Sequence, residues 1–315
     1  MIGTAVVRRL LQEPELEVRV ADQREAPEWM RASCEVYQGD LRDLGNATDA
    51  ARGCDRIIHL AAIVGGIGNF HKLPYTLSEV NSALYNALFH VAIQNDVERF
   101  VYVSSSMVFE RAERFPTPES YITDCPVPRS AYGFSKLTGE IYCRAAHAEH
   151  GLRFTICRPF NAYGPGEVPE GEPGIAHAVP DLIRKTLAGL RPLPIFGSGE
   201  QTRTLTYVDD IADGIVHAML SPSGLNEDFN ISAKDEHTVA EIARLVWKAC
   251  GRTDEFALEH LPTFDVDVQR RWPSVEKARD LLGWEARTEL NDGLARTVAW
   301  LRERLPHGQG VSAAA

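Results

Sequence analysis

A chain of 315 residues, 44% hydrophobic and 24% charged, has room for one large domain or two moderate ones and the balance of a soluble globular protein. Its formal net charge of −11 opposes a nucleic-acid or anionic-membrane surface, although a locally basic pocket for a small anion stays compatible with it. No apolar run approaches the roughly 18 residues of a membrane span, and no basic stretch followed by an apolar block opens the chain, so the expected location is cytoplasmic.

Residues 4–12 have helical periodicity, with Ala5, Val6, Leu10 and Leu11 apolar, and 16–21 read as a strand ending at Asp22. A dinucleotide-binding βαβ unit places a strand and a glycine-rich turn before its first helix. Here Met1-Ile2-Gly3 stand where the last glycine of such a turn belongs, so the expectation is a cofactor cradle only partly represented. Residues 34–38 form a short strand leading into Gly39-Asp40-Leu41, 46–52 a helix, and 55–60 an apolar strand running into Ala61-Ala62. Small residues at that strand end let a flat ligand lie close to the backbone. The loop that follows contains Gly65 and Gly66 but lacks the Gly-Lys-Ser/Thr of a phosphate loop. It reads either as a flexible connection or as a rim passed by a sugar-sized substrate.

A long helix over 76–95 precedes the strand 99–103, which ends in Ser104-Ser105-Ser106. Residues 107–129 are polar and proline-bearing, and Ser130 caps a helix running through about 149. The strand 154–157 continues into Arg158-Pro159-Phe160-Asn161. Alternating strands and helices predict a Rossmann-like, doubly wound parallel sheet covered on both faces. Residues 166–174, rich in Gly, Pro and Glu, read as a mobile connection. Beyond it come a helix at 177–190, strands at 193–196 and 203–207, and helices at 208–220, 238–250 and 290–305. The expected division is a dinucleotide domain of 1–165 plus about 205–232, a smaller α/β substrate domain of 166–204 plus about 233–305, and a disordered tail, 306–315. The six scattered cysteines include no Cys-x-x-Cys and the ten histidines no metal-ligand spacing, which reads as buried thiols in a reducing compartment and no metal.

The chemistry is carried by Tyr132 and Lys136, four apart and therefore on one helix face. An ammonium beside a phenol favours the phenolate, which lets a tyrosine accept a proton near neutral pH. A hydroxyl from the serine cluster can bond the same substrate oxygen. That set suits removal of a proton from an alcohol as its hydride departs to a nicotinamide. An amphipathic helix that merely exposes a Tyr and a Lys is the plain alternative.

The order of motifs decides between them. Gly3, Asp22, Gly39-Asp40-Leu41, His59-Leu60-Ala61-Ala62, Asn81, Ser104-Ser105, Tyr132-x-x-x-Lys136, Arg158-Pro159-x-Asn161-x-Tyr163-Gly164-Pro165, Gly197-x-Gly199, Arg203, Val208-Asp209-Asp210 and Leu282-Gly283-Trp284 follow one another from residue 3 to about 305. In this the chain resembles the extended short-chain dehydrogenase/reductases of the nucleotide-sugar epimerase/dehydratase group. Its Ala61-Ala62-x-Val64-Gly65-Gly66 and His177-Ala178-Val179-Pro180 look most like GDP-mannose 3,5-epimerase and GDP-L-fucose synthase.

The resemblance implies NAD as cofactor, with Gly3 near the pyrophosphate, Asp22 on the adenosine ribose, Asp40 and Leu41 flanking the adenine, and Ala61, Ala62 and Pro159 lining the dinucleotide. It implies Ser105, Tyr132 and Lys136 as redox residues, Lys136 also holding the nicotinamide ribose, and His177 as acid/base. For the sugar nucleotide it implies Gly65, Gly66, Ser105, Ser106, Met107, Asn161 and His177, with Arg203 and Arg271 on the diphosphate. Both look-alike families carry a cysteine acid/base where this chain has Met107, and a thioether holds no exchangeable proton. Dehydratases of the group carry Asp-Glu where Ser106-Met107 stand. The resemblance therefore implies an NAD-dependent epimerase of a nucleotide sugar, a GDP-hexose, working as a homodimer. A fucose-synthase-type 4-keto-sugar reductase and a non-catalytic nucleotide-sugar binder are the competing readings.

Overall fold

The computed structural model describes residues 1–64, 72–169, 176–263 and 268–305. The chain opens with helix α1 (Ile2–Leu10), strand β1 (Arg19–Asp22), α2 (Glu28–Ser33), β2 (Glu35–Gln38), α3 (Leu44–Ala51) and β3 (Arg56–His59). Then follow α4 (Pro74–Gln94), β4 (Arg99–Val103), α5 (Ala131–His150), β5 (Phe154–Pro159) and β6 (Ala162–Tyr163). The remainder holds α6 (Ala178–Leu187), β7 (Leu193–Phe196), β8 (Thr202–Arg203), β9 (Thr206–Tyr207), α7 (Val208–Leu220), β10 (Glu227–Ile231), β11 (His237–Thr238), α8 (Val239–Ala249), β12 (Leu258–Leu261) and α9 (Leu290–Arg302).

Four strands form a parallel sheet in the order β10, β5, β4, β3, while β1 and β2 pair in parallel as a separate two-stranded sheet. Every residue of β4 and β5 is buried, as the apolar runs of a two-sided parallel sheet require. On one face, α3, α4 and α5 close a core around Tyr85, Phe89, Phe100 and Tyr102; on the other, α1 and α7 pack with Val101, Cys157, Phe229 and Trp284. The fold is the doubly wound α/β architecture expected from the sequence. A third core joins α6, α8, α9 and β7 around Ile183, Leu193, Trp247 and Leu294.

Three features depart from the expected elements. The strand expected at 203–207 is split into β8 and β9, which pair with β11 and β6 respectively. Thr204 between them is fully buried and bonds elsewhere, its carbonyl accepting from Asn161 Nδ2 at 2.9 Å and its hydroxyl donating to the Arg271 carbonyl at 3.2 Å. The helix expected at 177–190 is shorter at both ends, with His177 as its N-cap and Gly189 in the left-handed region at φ +82° just past its end. Strand β10 has no announcement in the sequence, because Glu227-Asp228 breaks the apolar pattern. It enters the sheet because Asp228 is paired with Arg158 and Lys277. Gly65, Gly66 and the tail 306–315 lie outside the described residues. Among the described residues no helix is long and apolar enough to cross a membrane.

Candidate active site

The end of β4 and the start of α5 build the centre. Past Val103 the chain stays extended at Ser105, which caps a short 3-10 turn, Ser106–Phe109, by accepting from the Met107 amide at 3.2 Å. Ser130 caps α5 by accepting from the Gly133 amide at 3.0 Å, and Glu110 holds Ser130 in turn through its amide and its hydroxyl. A Cβ on Gly133 would lie 2.7 Å from the Met107 carbonyl oxygen, so only glycine lets the helix seat this closely on the turn. The result brings the Tyr132 phenol beside Ser105, whose hydroxyl works against the rise that burial imposes on the phenol pKa. Asn81 on α4 fastens the neighbouring strand end, accepting from the Ile63 amide at 2.9 Å and donating to Ser135 Oγ on α5 at 3.1 Å.

Electrostatics modify one expectation. The Lys136 ammonium, 4% exposed, donates to the Val103 carbonyl at 2.9 Å and lies over the Tyr102 ring. Burial pulls its pKa down to about 8, with Glu140 pulling back toward the charged form. Burial raises Tyr132 above its ordinary value, and the groups that offset this are the Ser105 hydrogen bond and the Arg271 guanidinium. The buried ammonium is thus anchored to β4 through the Val103 carbonyl. Burial thus favours the neutral phenol in the protein alone.

Arg271 reaches this centre rather than standing apart from it: Nη1 donates to Asn161 Oδ1 at 3.0 Å and Nη2 lies 2.8 Å from Met107 Sδ. Arg203 Nη1 donates to the carbonyls of Thr202 and Val268 at 2.7 and 2.6 Å. Asn161 holds its place at φ +37°, a conformation asparagine tolerates better than most residues. Ser106 and Met107 are buried beside them. His177 stands on Glu167, whose carboxylate takes its amide at 2.9 Å and its Nδ1 at 2.8 Å. Nearly half of the imidazole is exposed, and its described partner is Glu167 rather than a member of the Tyr132 cluster.

One cavity of about 2460 Å³ is walled by Ser105, Ser106, Met107, Tyr132, Lys136, Asn161, His177, Arg203 and Arg271, and by Gly3, Asp22, Asp40, Leu41, Ala61, Ala62 and Pro159. It is lined by both β1, of the two-stranded β1–β2 sheet, and β3, an edge strand of the four-stranded sheet. Its features fit a dinucleotide. The first turn of α1 carries no acidic residue and no side-chain cap, which leaves its amides for an anion. A Cβ on Gly3 would meet nothing closer than 3.9 Å, so this wall is open toward the cavity. The Asp22 carboxylate closes β1, oriented by the Arg24 amide at 2.9 Å. Asp40 is held the same way by the Arg42 amide at 3.0 Å and lies below its ordinary pKa because of the Arg42 guanidinium. NAD bound here would supply a hydride acceptor, and the positive charge of its oxidised ring would favour the Tyr132 phenolate.

A model of the NAD dependent epimerase/dehydratase family matches residues 1–232. The chain belongs to this family. It is 30% identical over 252 residues to the uncharacterized UDP-glucose epimerase YtcB of Bacillus subtilis, spanning 79% of this chain and 75% of that protein. It is 26% identical over 275 residues to GDP-mannose 3,5-epimerase of Arabidopsis thaliana, spanning 86% and 71%. The UDP-glucose 4-epimerase of Thermotoga maritima, solved with UDP-glucose, superposes with a TM-score of 0.84 at 29% identity, covering 96% of both chains. The protein is thus a member of an NAD-dependent family of nucleotide-sugar epimerases and dehydratases.

Sequence reasoning passed over two groups at the site. His59 is 3% exposed, and neither ring nitrogen has a hydrogen-bond partner among the described residues; burial, then the Lys136 charge, lowers its pKa to about 3. Glu140 lies one turn beyond Lys136 and binds Arg158 and Ser104. Arg158 was visible within its motif, but its partner, distant in sequence, was not.

Proposed function

We propose that this protein epimerises a nucleotide sugar, a GDP-hexose, through a transient 4-keto intermediate. The observation that carries the reading is the buried pair of Tyr132 and Lys136, with Ser105 beside the phenol, on the wall of a cavity that fits a dinucleotide. Tyr132 takes the proton of the sugar C4 hydroxyl as the C4 hydride leaves, and Ser105 orients that oxygen. The C4 ketone makes the C3 and C5 protons acidic, since the carbanion delocalises into the carbonyl. Met107 cannot move such a proton. His177, oriented by Glu167, is the remaining group suited to the transfer at C3 or C5. If the ketone instead turns and is reduced on its other face, 4-epimerisation results without a further base. Ser106-Met107 in place of two acidic residues disfavours elimination of water. The likeness of the glycine-rich loop and of the His177 segment to GDP-sugar enzymes supports guanine as the base. We assign binding of the sugar nucleotide to 166–204 and about 233–305, and the active form to a homodimer in the cytoplasm.

The NAD-loaded protein, incubated with GDP-mannose in heavy water, should yield epimerised sugar, with deuterium at C3 or C5 for the proton-transfer route and none for 4-epimerisation. A protein that neither retains nor binds a dinucleotide sinks the proposal. Turnover of UDP- or dTDP-sugars alone overturns the guanine assignment.

A further inference from the structure

Helix α5 presents Tyr132, Lys136 and Glu140 four residues apart on one face. The first two line the cavity; Glu140 sits below it, 1% exposed. Arg158 on β5, itself fully buried, grips its carboxylate with two parallel bonds, Nε to Oε1 at 2.8 Å and Nη2 to Oε2 at 2.6 Å. Ser104, at the end of β4, donates its hydroxyl to the same carboxylate at 2.6 Å. From Arg158 the charges continue to Asp228 on β10 at 2.7 Å and to Lys277 at 2.6 Å. One carboxylate thus joins the catalytic helix, the strand end that carries Ser105, and the strand leading to Asn161.

Stability alone is a poor reason for this arrangement, because a buried ion pair returns little more than its desolvation cost and apolar residues of similar volume often serve as well. What it supplies is geometry. Ser104 and Ser105 are consecutive, so fixing one hydroxyl to α5 fixes where the next one meets the phenol. We propose that Glu140, held by Arg158, is a positioning residue that docks Ser104 onto α5 and so sets where the Ser105 hydroxyl stands against the Tyr132 phenol. Its failure would leave cofactor and substrate binding in place and misalign the proton transfer.

The test compares Ser104→Ala and Glu140→Gln with the wild-type holoenzyme, using Arg144→Ala, an exposed arm on Asp228 3.1 Å away, as control. Two readouts are taken: turnover of a nucleotide sugar, and the ultraviolet titration of the Tyr132 phenol measured as a difference against Tyr132→Phe. In both variants kcat should fall roughly 10- to 100-fold, the loss expected of a slightly misplaced reacting group. KM and bound NAD should stay within about 2-fold of wild type. The phenol titration should move to higher pH, Ser104→Thr should restore both readouts, and Arg144→Ala should leave both unchanged. Wild-type kcat and an unmoved titration in Ser104→Ala overturn the proposal, as does a loss that tracks only the unfolded fraction. Should Glu140→Gln fail to fold, Ser104→Ala, which deletes a single hydroxyl, decides. The proposal rests on the redox role of Tyr132; if wild type turns over no nucleotide sugar, that function fails, and the titration, which needs no substrate, still decides the positioning.

Discussion

Lys136 sets a pH limit on the chemistry. Burial lowers its pKa to about 8, and its charged form is the stronger donor to the Val103 carbonyl, at the strand end that leads to Ser105. The ammonium is present below that value and lost above it, so kcat should decline as pH rises through about 8, measured as an alkaline limb in the pH–rate profile. A profile flat to pH 10 would contradict this role. The Tyr-x-x-x-Lys spacing was readable in the sequence because a helix repeats its face every fourth residue. The direction of the ammonium was not, because it depends on a carbonyl 33 positions away. The same holds for Arg271, whose guanidinium meets Met107 and Asn161 across 164 and 110 positions. No motif spacing reports such a meeting.

Helix α5 is positioned by its two small contacts as much as by its cap. At Gly139 a Cβ would lie 2.2 Å from the Tyr102 ring and hydroxyl, which is itself bonded to Tyr85 at 2.9 Å and to the Lys136 carbonyl at 3.2 Å. Gly139→Ala should therefore push the helix off β4 despite alanine's better helix propensity, with about 1–3 kcal/mol lost to overpacking. Denaturant unfolding measures it, and an unchanged or raised midpoint would refute the close packing. Elements with an unbroken local signal, the one-sided periodicity of α7 and the apolar run of β4, were legible with the residue bounds they have in the structure. The split of β8 from β9 and the existence of β10 were not, since each depends on polar partners brought in from elsewhere.

For the whole molecule, α4 and α5 pack together and still expose apolar side chains. Tyr75 is 79% exposed, Phe134 54% and Ile141 57%, and the Tyr142 hydroxyl donates across to Asn86 at 2.9 Å. A second copy laid on this face would bury them in a four-helix arrangement, as the proposed homodimer requires. Ile141→Glu should convert the protein to a monomer in light scattering without altering its far-ultraviolet circular dichroism. A wild-type protein that is monomeric at micromolar concentration removes the proposal.

By itself the sequence determined the layered α/β fold, the order of its redox and nucleotide motifs, and the family they belong to. These rest on local periodicity and on short spacings, which survive without any knowledge of distant contacts. Tertiary structure alone decided how the side chains of the site are paired: Lys136 turned to Val103, Arg271 drawn onto Met107, His177 paired with Glu167, and Glu140 locked to Arg158 beneath Ser104. Each of these depends on burial and on charges joined over long stretches of chain, and the strength of a charge contact is set by the low-dielectric surroundings that only the folded molecule creates.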